Sequence, residues 1–433
     1  MPVDVAPETL IIGAGPAGLA AARALHDRGI SYDQVERHHG VGGIWDIDNP
    51  GSPMYTSAHF ISSRTMSDFP GFPMPEDYPD YPSQRQILAY LQAFADAYGL
   101  TDRIEFGCSV TDLDTIDGGW RVTFDDGTRR SYRFVIAATG TQWHPRLPHW
   151  PGHFNGEIRH SRDFRDADDL VGERVLIVGA GNSGCDIACD VGRRADRTYL
   201  SVRRGYWFIP KHIFGIPADV FADSGPHLPL AVEQRVFGAM LRTLNGDVTR
   251  LGLPRPDHRL FETHPILNTE ILARLQHGDV IAKPDIERLD GDSVVFADGS
   301  RERIDVIITA TGYRHAVPYA QDLFGPEDHP DDLYLSVFSR RHRGLIAMGF
   351  IETNSGAYRL FDQSARIVAG YIDDALHDPT RAARFEQLID RHHPDLTGGI
   401  RFIDSPRHRG YVDSAALRRI YDRVLTQMDW SAA

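Results

Sequence analysis

The stretch TLIIGAGPAGLAAA, residues 9–22, limits the possible fold of this chain more than any other. Apolar β-formers lead into Gly13-x-Gly15-x-x-Gly18, and an Ala/Leu-rich helical pattern follows. In a dinucleotide site Gly13 permits the turn, Gly15 lets the backbone approach a pyrophosphate, and Gly18 lets the helix pack against the strand. A glycine turn can also serve packing alone, so the motif needs its surroundings to be specific.

Those surroundings complete a strand-helix-strand unit. Pro16 and Ala17 begin the helix, where a missing N–H costs little and unpaired N–H groups attract a phosphate. The next strand ends in Glu36-Arg37, and Glu36 follows Gly18 by 18 residues. That is near the spacing at which an acid hydrogen-bonds a ribose hydroxyl, so the unit predicts a dinucleotide site.

Composition restricts the partners. The chain of 433 residues has a formal net charge of -14, so no general positive field favours nucleic acid or an anionic membrane. No apolar run reaches the roughly 18 residues of a membrane span, and the N-terminus lacks a charged-then-apolar signal. We therefore expect a cytoplasmic protein without nucleic-acid or membrane partners. Its cysteines, Cys108, Cys185 and Cys189, form neither a disulfide framework nor a C-x-x-C pair.

The strand, glycine turn and helix occur twice. A second copy carries Gly179-x-Gly181-x-x-Gly184 after an apolar run. The interval from an Asp-Gly turn to an Ala-Thr-Gly is 13 residues in both copies, ending at Gly140 and at Gly312. This repetition indicates two related nucleotide-binding domains.

The two copies differ at the position that would contact the ribose of a bound nucleotide. Glu36 suits the unphosphorylated ribose of FAD, whereas the position 19 residues after Gly184 carries Arg203-Arg204. Two guanidinium groups favour a 2′-phosphate, and hence NADPH over NADH. A solvated basic pair before a loop is the alternative explanation. The pattern predicts a tightly held flavin that receives hydride from an exchangeable NADPH.

We therefore predict an α/β chain with two Rossmann-like dinucleotide-binding domains, the second inserted in the first. Residues 1–160 and 313–433 would form the FAD-binding domain, and residues 161–312 the NADPH-binding domain, with a partly helical insertion at about 206–280. A capping box predicts a helix after Ser83, and helical spacing predicts others at 230–244, 268–277, 358–376, 381–392 and 414–428.

Further motifs lie between and around the glycine turns. Phe154-x-Gly156-x-x-x-His160-x-x-x-Phe164 separates the two turns. The other motifs are GGIW (42–45), LSVRRGYWFIPK (200–211), THPILN (263–268) and ATGY (310–313). With these motifs the chain resembles class B flavin-dependent monooxygenases over nearly its whole length. Phe164 rather than Trp is similar to the flavin-containing monooxygenase branch, which oxygenates N and S, rather than the Baeyer–Villiger branch.

The resemblance implies an FAD-dependent NADPH monooxygenase whose partners are a small-molecule substrate and O₂. NADPH would reduce FAD, O₂ would add at the flavin C4a carbon to give a (hydro)peroxyflavin, and retained NADP⁺ would shield this intermediate from water. An amine nitrogen or a sulfide sulfur would then attack the distal peroxide oxygen. The protein would bind, orient and exclude water, and His160 would hold the linker between the domains. The sequence does not determine the oligomeric state, for which a homodimer is the assembly considered.

The turns and the resemblance together supply the predicted cofactor contacts. Those expected to bind FAD are Gly13, Gly15, Pro16, Ala17, Gly18, Glu36, Arg37, Gly43, Ile44 and Trp45. Those expected to bind NADPH are Gly179, Gly181, Asn182, Ser183, Gly184, Cys185, Asp186, Arg203 and Arg204, with Thr311 and Gly312 as further cofactor contacts. Trp45 could instead be a core residue, and no metal site is predicted.

One position departs from the family pattern. Flavin-containing monooxygenases have an Asn in a Tyr-initiated segment, but alignment at Tyr55 places Ile61 there, followed by Ser62 and Ser63. We expect the two serines to replace that amide as catalytic and cofactor contacts; otherwise the enzyme would leak hydrogen peroxide or act on another substrate class. Asn354, at the start of the C-terminal helix, would supply a further catalytic polar group near the flavin or be an ordinary N-cap.

Three alternative functions stay open at this point. Baeyer–Villiger oxygenation would convert ketones to esters and is disfavoured by Phe164. A disulfide or quinone reductase shares the two-nucleotide architecture, but the missing C-x-x-C removes the disulfide version. A non-catalytic flavin redox sensor would be separated from an enzyme by its NADPH turnover. Architecture alone does not choose among them, because function belongs to the site.

Overall fold

The computed structural model describes residues 7–225, 228–325 and 333–431. Over these residues the chain divides into two compact units. Unit 1 comprises Met1–Ser52, Arg64–His144 and Arg314–Ala433, and unit 2 comprises Pro53–Ser63 and Pro145–Tyr313. We call the segment Pro53–Ser63 the strap, because it packs with unit 2 although unit 1 residues flank it in sequence. The strap and residues 145–160 are the segments where the two units differ from the domain boundaries expected above.

Helices are numbered in chain order over the described residues. They are α1 (Pro16–Asp27), α2 (Gln84–Ala97), α3 (Asn182–Val191), α4 (Ala218–Ser224), α5 (Leu230–Asn245), α6 (Glu270–His277), α7 (Gln321–Phe324), α8 (Tyr358–His377), α9 (Pro379–Arg391) and α10 (Ser414–Gln427).

Strands are numbered in the same way. They are β1 (Thr9–Ile12), β2 (Asp33–Glu36), β3 (Ile104–Phe106), β4 (Val110–Ile116), β5 (Gly119–Phe124), β6 (Arg129–Tyr132), β7 (Phe134–Ala137), β8 (His144–Pro145), β9 (Gly152–Phe154), β10 (Glu157–His160), β11 (Arg174–Val178), β12 (Arg197–Ser201), β13 (His212–Ile213), β14 (Ile216–Pro217), β15 (Ile281–Lys283), β16 (Ile286–Gly291), β17 (Ser293–Phe296), β18 (Arg301–Arg303), β19 (Val306–Thr309), β20 (Tyr313–Arg314), β21 (Leu333–Tyr334), β22 (Phe338–Ser339), β23 (Leu345–Ala347), β24 (Glu352–Thr353) and β25 (Tyr411–Val412).

Unit 1 is built on a sheet with the order β21-β22-β23-β7-β1-β2-β3. The pairs from β23 to β3 are parallel, and β1 is buried along its whole length between β7 and β2. A central strand that is covered on both faces reads as a continuous apolar run, which explains the sequence Leu10-Ile11-Ile12. The antiparallel sheet β4-β5-β6 lies in the same unit and contains the predicted Asp-Gly hairpin.

Unit 2 is built on the parallel sheet β10-β19-β11-β12-β15, with a second sheet β18-β17-β16-β9. Its strands β19, β11 and β12 repeat the order of β7, β1 and β2 in unit 1. The hydrophobic core under α3 includes Tyr55 of the strap, Phe164 and Cys185. The predicted α/β fold with two Rossmann-like units is therefore confirmed, and each glycine turn stands at the carboxyl end of its central strand.

Local signals account for most helix ends. Ser83 and Gln86 form the predicted capping box of α2, and Gly99 follows that helix with a φ of +61°. The other predicted helices begin and end within two residues of α5, α6, α8, α9 and α10. The largely apolar run over residues 132–137 predicts a single strand, but the structure divides it at Arg133 into β6 and β7. None of the described helices has the length and apolar composition of a membrane span.

Candidate active site

The first glycine turn, Gly13 to Gly18, can be built only from glycine at two of its positions. Gly13 has a φ of +108°, and a Cβ there would lie 2.6 Å from the carbonyl oxygen of Ala138. A Cβ on Gly18 would overlap the carbonyl oxygen of Gly13. Because α1 lies so close to β1, the backbone of the turn is exposed to a ligand rather than covered by side chains.

The start of α1 is prepared for an anion. Gly15 is the N-cap and offers no side-chain oxygen to the helix, and Pro16 occupies the first position. The N–H groups of Ala17 and Gly18 belong to the first turn, where a helix provides no internal partner. A phosphate would accept from these groups and from the positive end of the helix dipole.

The second glycine turn, Gly179 to Gly184, repeats this geometry. Gly179 has a φ of +104°, and its Cβ would lie 2.6 Å from the carbonyl oxygen of Ala310. A Cβ on Gly184 would overlap the carbonyl oxygen of Gly179, whereas one on Gly181 would meet no atom within 4 Å. Gly181 caps α3 without a side-chain hydrogen bond, so there is open space in front of this helix start.

Glu36 closes the first turn from the end of β2. One carboxylate oxygen accepts the N–H of Ala14 at 2.6 Å, and the other accepts the N–H of His38 at 2.9 Å. The side chain is buried. Next to it, Arg37 lies 4.0 Å above the ring of Trp143, and burial lowers the pKa of its guanidinium while Glu36 opposes that change.

The GGIW segment packs against the first turn. Gly42 donates its N–H to the carbonyl oxygen of Ala14 at 3.0 Å, and a Cβ on Gly43 would lie 3.0 Å from the Cα of Gly15. Such an approach requires glycine on both sides. The segment continues as a short 3-10 helix that ends at Trp45, which is half-buried rather than part of the core. The structure therefore brings the predicted FAD contacts of unit 1 into one group.

The second turn is lined differently. The side-chain amide of Asn182 donates to the carbonyl oxygen of Pro265 at 3.0 Å and accepts the N–H of Leu267 at 2.9 Å, so it fastens the THPILN segment to α3. Ser183 is exposed at the helix start. The surroundings of Cys185 do not support its predicted role as a nucleotide contact. Its side chain is fully buried, and its N–H donates to the carbonyl oxygen of Gly181.

Asp186 also differs from a simple nucleotide contact. Its two carboxylate oxygens accept from the Tyr55 hydroxyl at 2.9 Å and from the Asn268 amide at 2.6 Å. Burial raises the pKa of Asp186, and the two hydrogen bonds oppose that rise. From the sequence, no role is predicted for Tyr55 or Asn268. Tyr55 is the first residue of the Tyr-initiated segment, and Asn268 is the last residue of THPILN.

The arginine pair follows a buried position. Strand register pairs Ile12 with Val35 in unit 1 and Val178 with Ser201 in unit 2, so the residue equivalent to Glu36 is Val202. Arg203 thus corresponds to Arg37, one residue later than its predicted match. Arg203 is exposed and Arg204 is half-buried. Within the described part of the chain, neither forms a hydrogen bond or a salt bridge, although the charge of Arg204 adds to the hydrogen bond from His258 in lowering the pKa of Asp257.

The second Ala-Thr-Gly is tied to the segment that enters unit 2. The Thr311 hydroxyl donates to the carbonyl oxygen of Arg146 at 2.5 Å, and the carbonyl oxygen of Gly312 accepts the Arg146 N–H at 2.9 Å. A Cβ on Gly312 would meet no atom within 4 Å, so its surface is open. Thr311 is therefore available to a cofactor through its backbone more than through its hydroxyl.

His160 has a defined tautomer. Its Nδ1 accepts the N–H of Arg162 at 3.1 Å, so Nε2 carries the proton and donates to the carbonyl oxygen of Gly312 at 3.1 Å. Burial lowers the pKa of the imidazole to about 4. A neutral ring that is held at both nitrogens connects β10 to the end of β19, as expected of a structural rather than proton-transferring residue.

The three predicted catalytic residues lie in different units. Ser62 and Ser63 are buried at the end of the strap in unit 2, where the Ser63 N–H donates to Asp219 at 2.6 Å. Asn354 is in unit 1, and its amide bonds the start of α10 through Asp413 and Ser414. The alternative of an N-cap for the next helix is wrong, because α8 begins at Tyr358 with Ala357 as its N-cap.

Two Rossmann-type units, each with an uncapped helix behind a glycine turn, define a protein of the two-dinucleotide-domain class. Comparison with known proteins narrows this class. The family model described as flavin-binding monooxygenase-like matches residues 6–401. The indole-3-pyruvate monooxygenase YUCCA1 of Oryza sativa subsp. japonica is 31% identical over 361 residues, which cover 80% of this chain and 87% of that protein.

Two further comparisons agree. The dimethylaniline monooxygenase [N-oxide-forming] 2 of Macaca mulatta is 29% identical over 415 residues, covering 89% of this chain and 77% of that protein. The solved structure of cyclohexanone monooxygenase from Rhodococcus sp. Phi1 bound to NADP⁺ matches with a TM-score of 0.71 at 17% identity, covering 98% of both chains, and shows the likeness of fold. This chain belongs to the flavin-binding monooxygenase-like family. It is an FAD-dependent monooxygenase, with FAD and NADPH as its cofactors.

Proposed function

We propose that the chain uses NADPH and O₂ to insert one oxygen atom into an amine nitrogen or a sulfide sulfur of a small molecule. In this proposal unit 1 binds FAD and unit 2 binds NADPH. The observation that carries the assignment is the pair of matching glycine turns, of which one is followed by a buried carboxylate and the other by two arginines without a hydrogen bond or salt bridge in the described residues.

The residues present fit both cofactors. At each turn the first and last glycines leave no room for a Cβ, because it would lie against a backbone carbonyl oxygen. Each following helix begins without a side-chain cap. Glu36 has its carboxylate at the carboxyl end of β2, where an adenosine ribose would lie. Arg203 and Arg204 keep their donors for a ligand, and a 2′-phosphate is the group that a guanidinium pair binds best.

Bound FAD would supply the electron transfer and the activation of O₂, which no side chain can provide. The chain's own residues would bind and orient. The N–H groups of Ala17 and Gly18 would hold the FAD pyrophosphate, and those of Ser183 and Gly184 would hold that of NADPH. His160 stays neutral above its pKa of about 4 and keeps the Ala-Thr-Gly segment in place.

Two observations favour a soft nucleophile over a ketone. Phe164, the residue that distinguishes the N- and S-oxygenating branch in the resemblance, packs edge-on against Tyr55 at 5.9 Å in the core of unit 2. The relative with dimethylaniline in its name forms an N-oxide and covers most of this chain. Baeyer–Villiger oxygenation and NADPH oxidation without oxygen insertion are the alternatives.

A matched series of substrates tests the proposal. N,N-dimethylaniline, methyl phenyl sulfide and acetophenone carry the same ring and differ in the reacting group, N, S or carbonyl. The purified holoenzyme would be supplied with NADPH and ¹⁸O₂, and the products analysed by mass. We expect one labelled oxygen atom in the N-oxide or the sulfoxide, at a rate at least about tenfold above any ester from acetophenone.

Other outcomes would overturn the proposal. Formation of phenyl acetate as the main product would assign the chain to ketone oxygenation. NADPH consumption that yields hydrogen peroxide with every member of the series, and no labelled product, would identify an oxidase.

A further inference from the structure

The strap is fastened to unit 2 along its length. Near its start, the Thr56 N–H donates to the carbonyl oxygen of Arg165 at 2.8 Å, and the Arg165 guanidinium donates to the carbonyl oxygen of Met54 at 3.1 Å. The Ser57 hydroxyl donates to Asp190, on the same helix as the second glycine turn. The strap is therefore held by hydrogen bonds to unit 2, including one to α3, although unit 1 residues flank it in sequence.

Asp186 connects the strap to the nucleotide end of α3. It stands three residues after Ser183, so the two side chains share one face of the helix. Both meet the same phenol: the Tyr55 hydroxyl donates to Asp186 at 2.9 Å, and a side-chain hydrogen bond with Ser183 partly offsets the rise in the pKa of Tyr55 caused by burial and Asp186. Asn268 holds the other oxygen of Asp186.

Asp219 holds the opposite end of the strap. Its carboxylate accepts the N–H of Ser63 at 2.6 Å, and Ser63 itself is buried. A hydrogen bond from a buried N–H to a carboxylate is stronger than one between two neutral groups. The contact determines where the backbone of Ser62 and Ser63 lies, because any shift of that backbone would leave a buried N–H without its carboxylate.

We propose that Asp186 and Asp219 are positioning residues, which hold Ser62 and Ser63 in place and tighten the strap when a nicotinamide dinucleotide binds at the start of α3. The coupling rests on the proposed function, in which unit 2 binds NADPH. Binding would restrict the motion of the first turn of α3, which contains Ser183. Because Tyr55 hydrogen-bonds both Ser183 and Asp186, the motion of the strap would be restricted as well. Neither aspartate touches the reacting atoms in this scheme.

Hydrogen exchange of the FAD-loaded enzyme, with and without saturating NADP⁺, tests the coupling directly. We expect NADP⁺ to slow exchange in peptides from the start of α3 and in strap peptides by roughly tenfold. In Tyr55→Phe and Asp186→Ala, α3 should keep its protection while the strap loses it. Protection of the strap that survives both substitutions would overturn the inference. Absence of protection at α3 in the wild type would instead contradict the assignment of NADPH to unit 2.

Substitution at Asp219 provides an independent measurement. Asp219→Asn retains an oxygen that accepts the Ser63 N–H, whereas Asp219→Ala does not. We expect Asp219→Ala to raise the share of NADPH electrons recovered as hydrogen peroxide at least about threefold, with the KM for NADPH changed less than about twofold. Asp219→Asn should restore the wild-type share, and Asp223→Ala, an exposed acid on the same helix, should not alter it. Equal peroxide release by the Ala and Asn variants would contradict a positioning role.

Discussion

The two glycine turns have nearly the same backbone and different surroundings. Gly13 and Gly179 have φ values of +108° and +104°, and a Cβ on either would lie 2.6 Å from the carbonyl oxygen of an alanine in an Ala-Thr-Gly. The residue after the next strand is Glu36 in unit 1 and Val202 in unit 2. Glu36 is bonded to its own turn, whereas the arginines after Val202 form no hydrogen bond or salt bridge within the described residues, and Arg204 interacts only electrostatically with Asp257.

This difference separates two tasks. The turn geometry suits any pyrophosphate, because backbone N–H groups read charge and not the identity of the nucleotide. In the proposed function, the residues after the second strand of each unit distinguish the ligands. A carboxylate already satisfied by the protein suits a cofactor that stays bound, and unpaired guanidinium groups suit a ligand that brings its own phosphate and leaves again.

The largest expected effect comes from removing one turn at a time. Gly13→Ala should yield a colourless protein that does not retain FAD, whereas Gly179→Ala should keep FAD and raise the KM for NADPH roughly 100-fold, since both substitutions put a Cβ against a carbonyl oxygen. Absorption spectra and NADPH kinetics measure the two losses. Gly29→Ala and Gly278→Ala are the controls, because they share a positive φ but have open space around the Cβ. Exchanged phenotypes would reverse the assignment of the units.

Glu36 is the next most sensitive position. Glu36→Ala leaves the N–H groups of Ala14 and His38 without their acceptor and removes a ribose contact, so we expect the Kd for FAD to rise at least about 30-fold. Glu36→Gln keeps one acceptor oxygen and should lose less. Release of FAD can be followed by its fluorescence. An unchanged Kd in the Ala variant would mean that unit 1 does not bind the ribose through this acid.

Removing both arginines should have a smaller effect that depends on the nucleotide. Arg203→Ala combined with Arg204→Ala should raise the KM for NADPH at least about tenfold and leave NADH nearly unchanged, because only NADPH has the 2′-phosphate. Steady-state kinetics with both nucleotides measure the ratio. Arg288→Ala, an exposed arginine elsewhere in unit 2, serves as the control. Equal losses with NADPH and NADH would refute the hypothesis that the arginine pair binds the 2′-phosphate.

The smallest effect concerns pH and His160. Its folded pKa of about 4 is below the ordinary histidine value of 6.5, so the unfolded chain binds a proton more readily between these values. Stability contributed by the neutral ring is therefore complete above about pH 6.5 and is lost as pH falls towards about 4. His160→Gln, which can keep one donor and one acceptor, should show a smaller fall in Tm between about pH 7 and pH 5. An identical fall in both proteins would contradict this account.

The repeated motifs made the fold predictable, because glycine spacing and apolar strands are local signals. The order β7, β1, β2 follows from one such pattern and β19, β11, β12 from the other. The strap was not predictable in this way. Tyr55 meets Asp186 across 131 positions of the chain, and no period or spacing rule relates residues so far apart.

The same limit applies to individual site residues. The place of Glu36 next to the first turn could be predicted because the acid stands at a standard distance from that turn, but its hydrogen bonds with the N–H groups of Ala14 and His38 were not predicted. Cys185 was assigned to the nucleotide from the family resemblance, yet its helical position turns the thiol into the core. Asn182 lies at a helix start, but its amide serves the THPILN segment. Helical phase and distant partners decide such cases, and a linear motif contains neither.

The strap also matters for exchanging parts between relatives. A recombinant in which only residues 145–313 came from another member of the family would join a foreign α3 to a native Tyr55, and the donor's residue at position 186 would meet a phenol from a different chain. Grafting Pro53–Ser63 together with that block keeps the donor's own residues at positions 55 and 186 together. The two segments are far apart in the sequence, but they should be exchanged together because they form one compact unit.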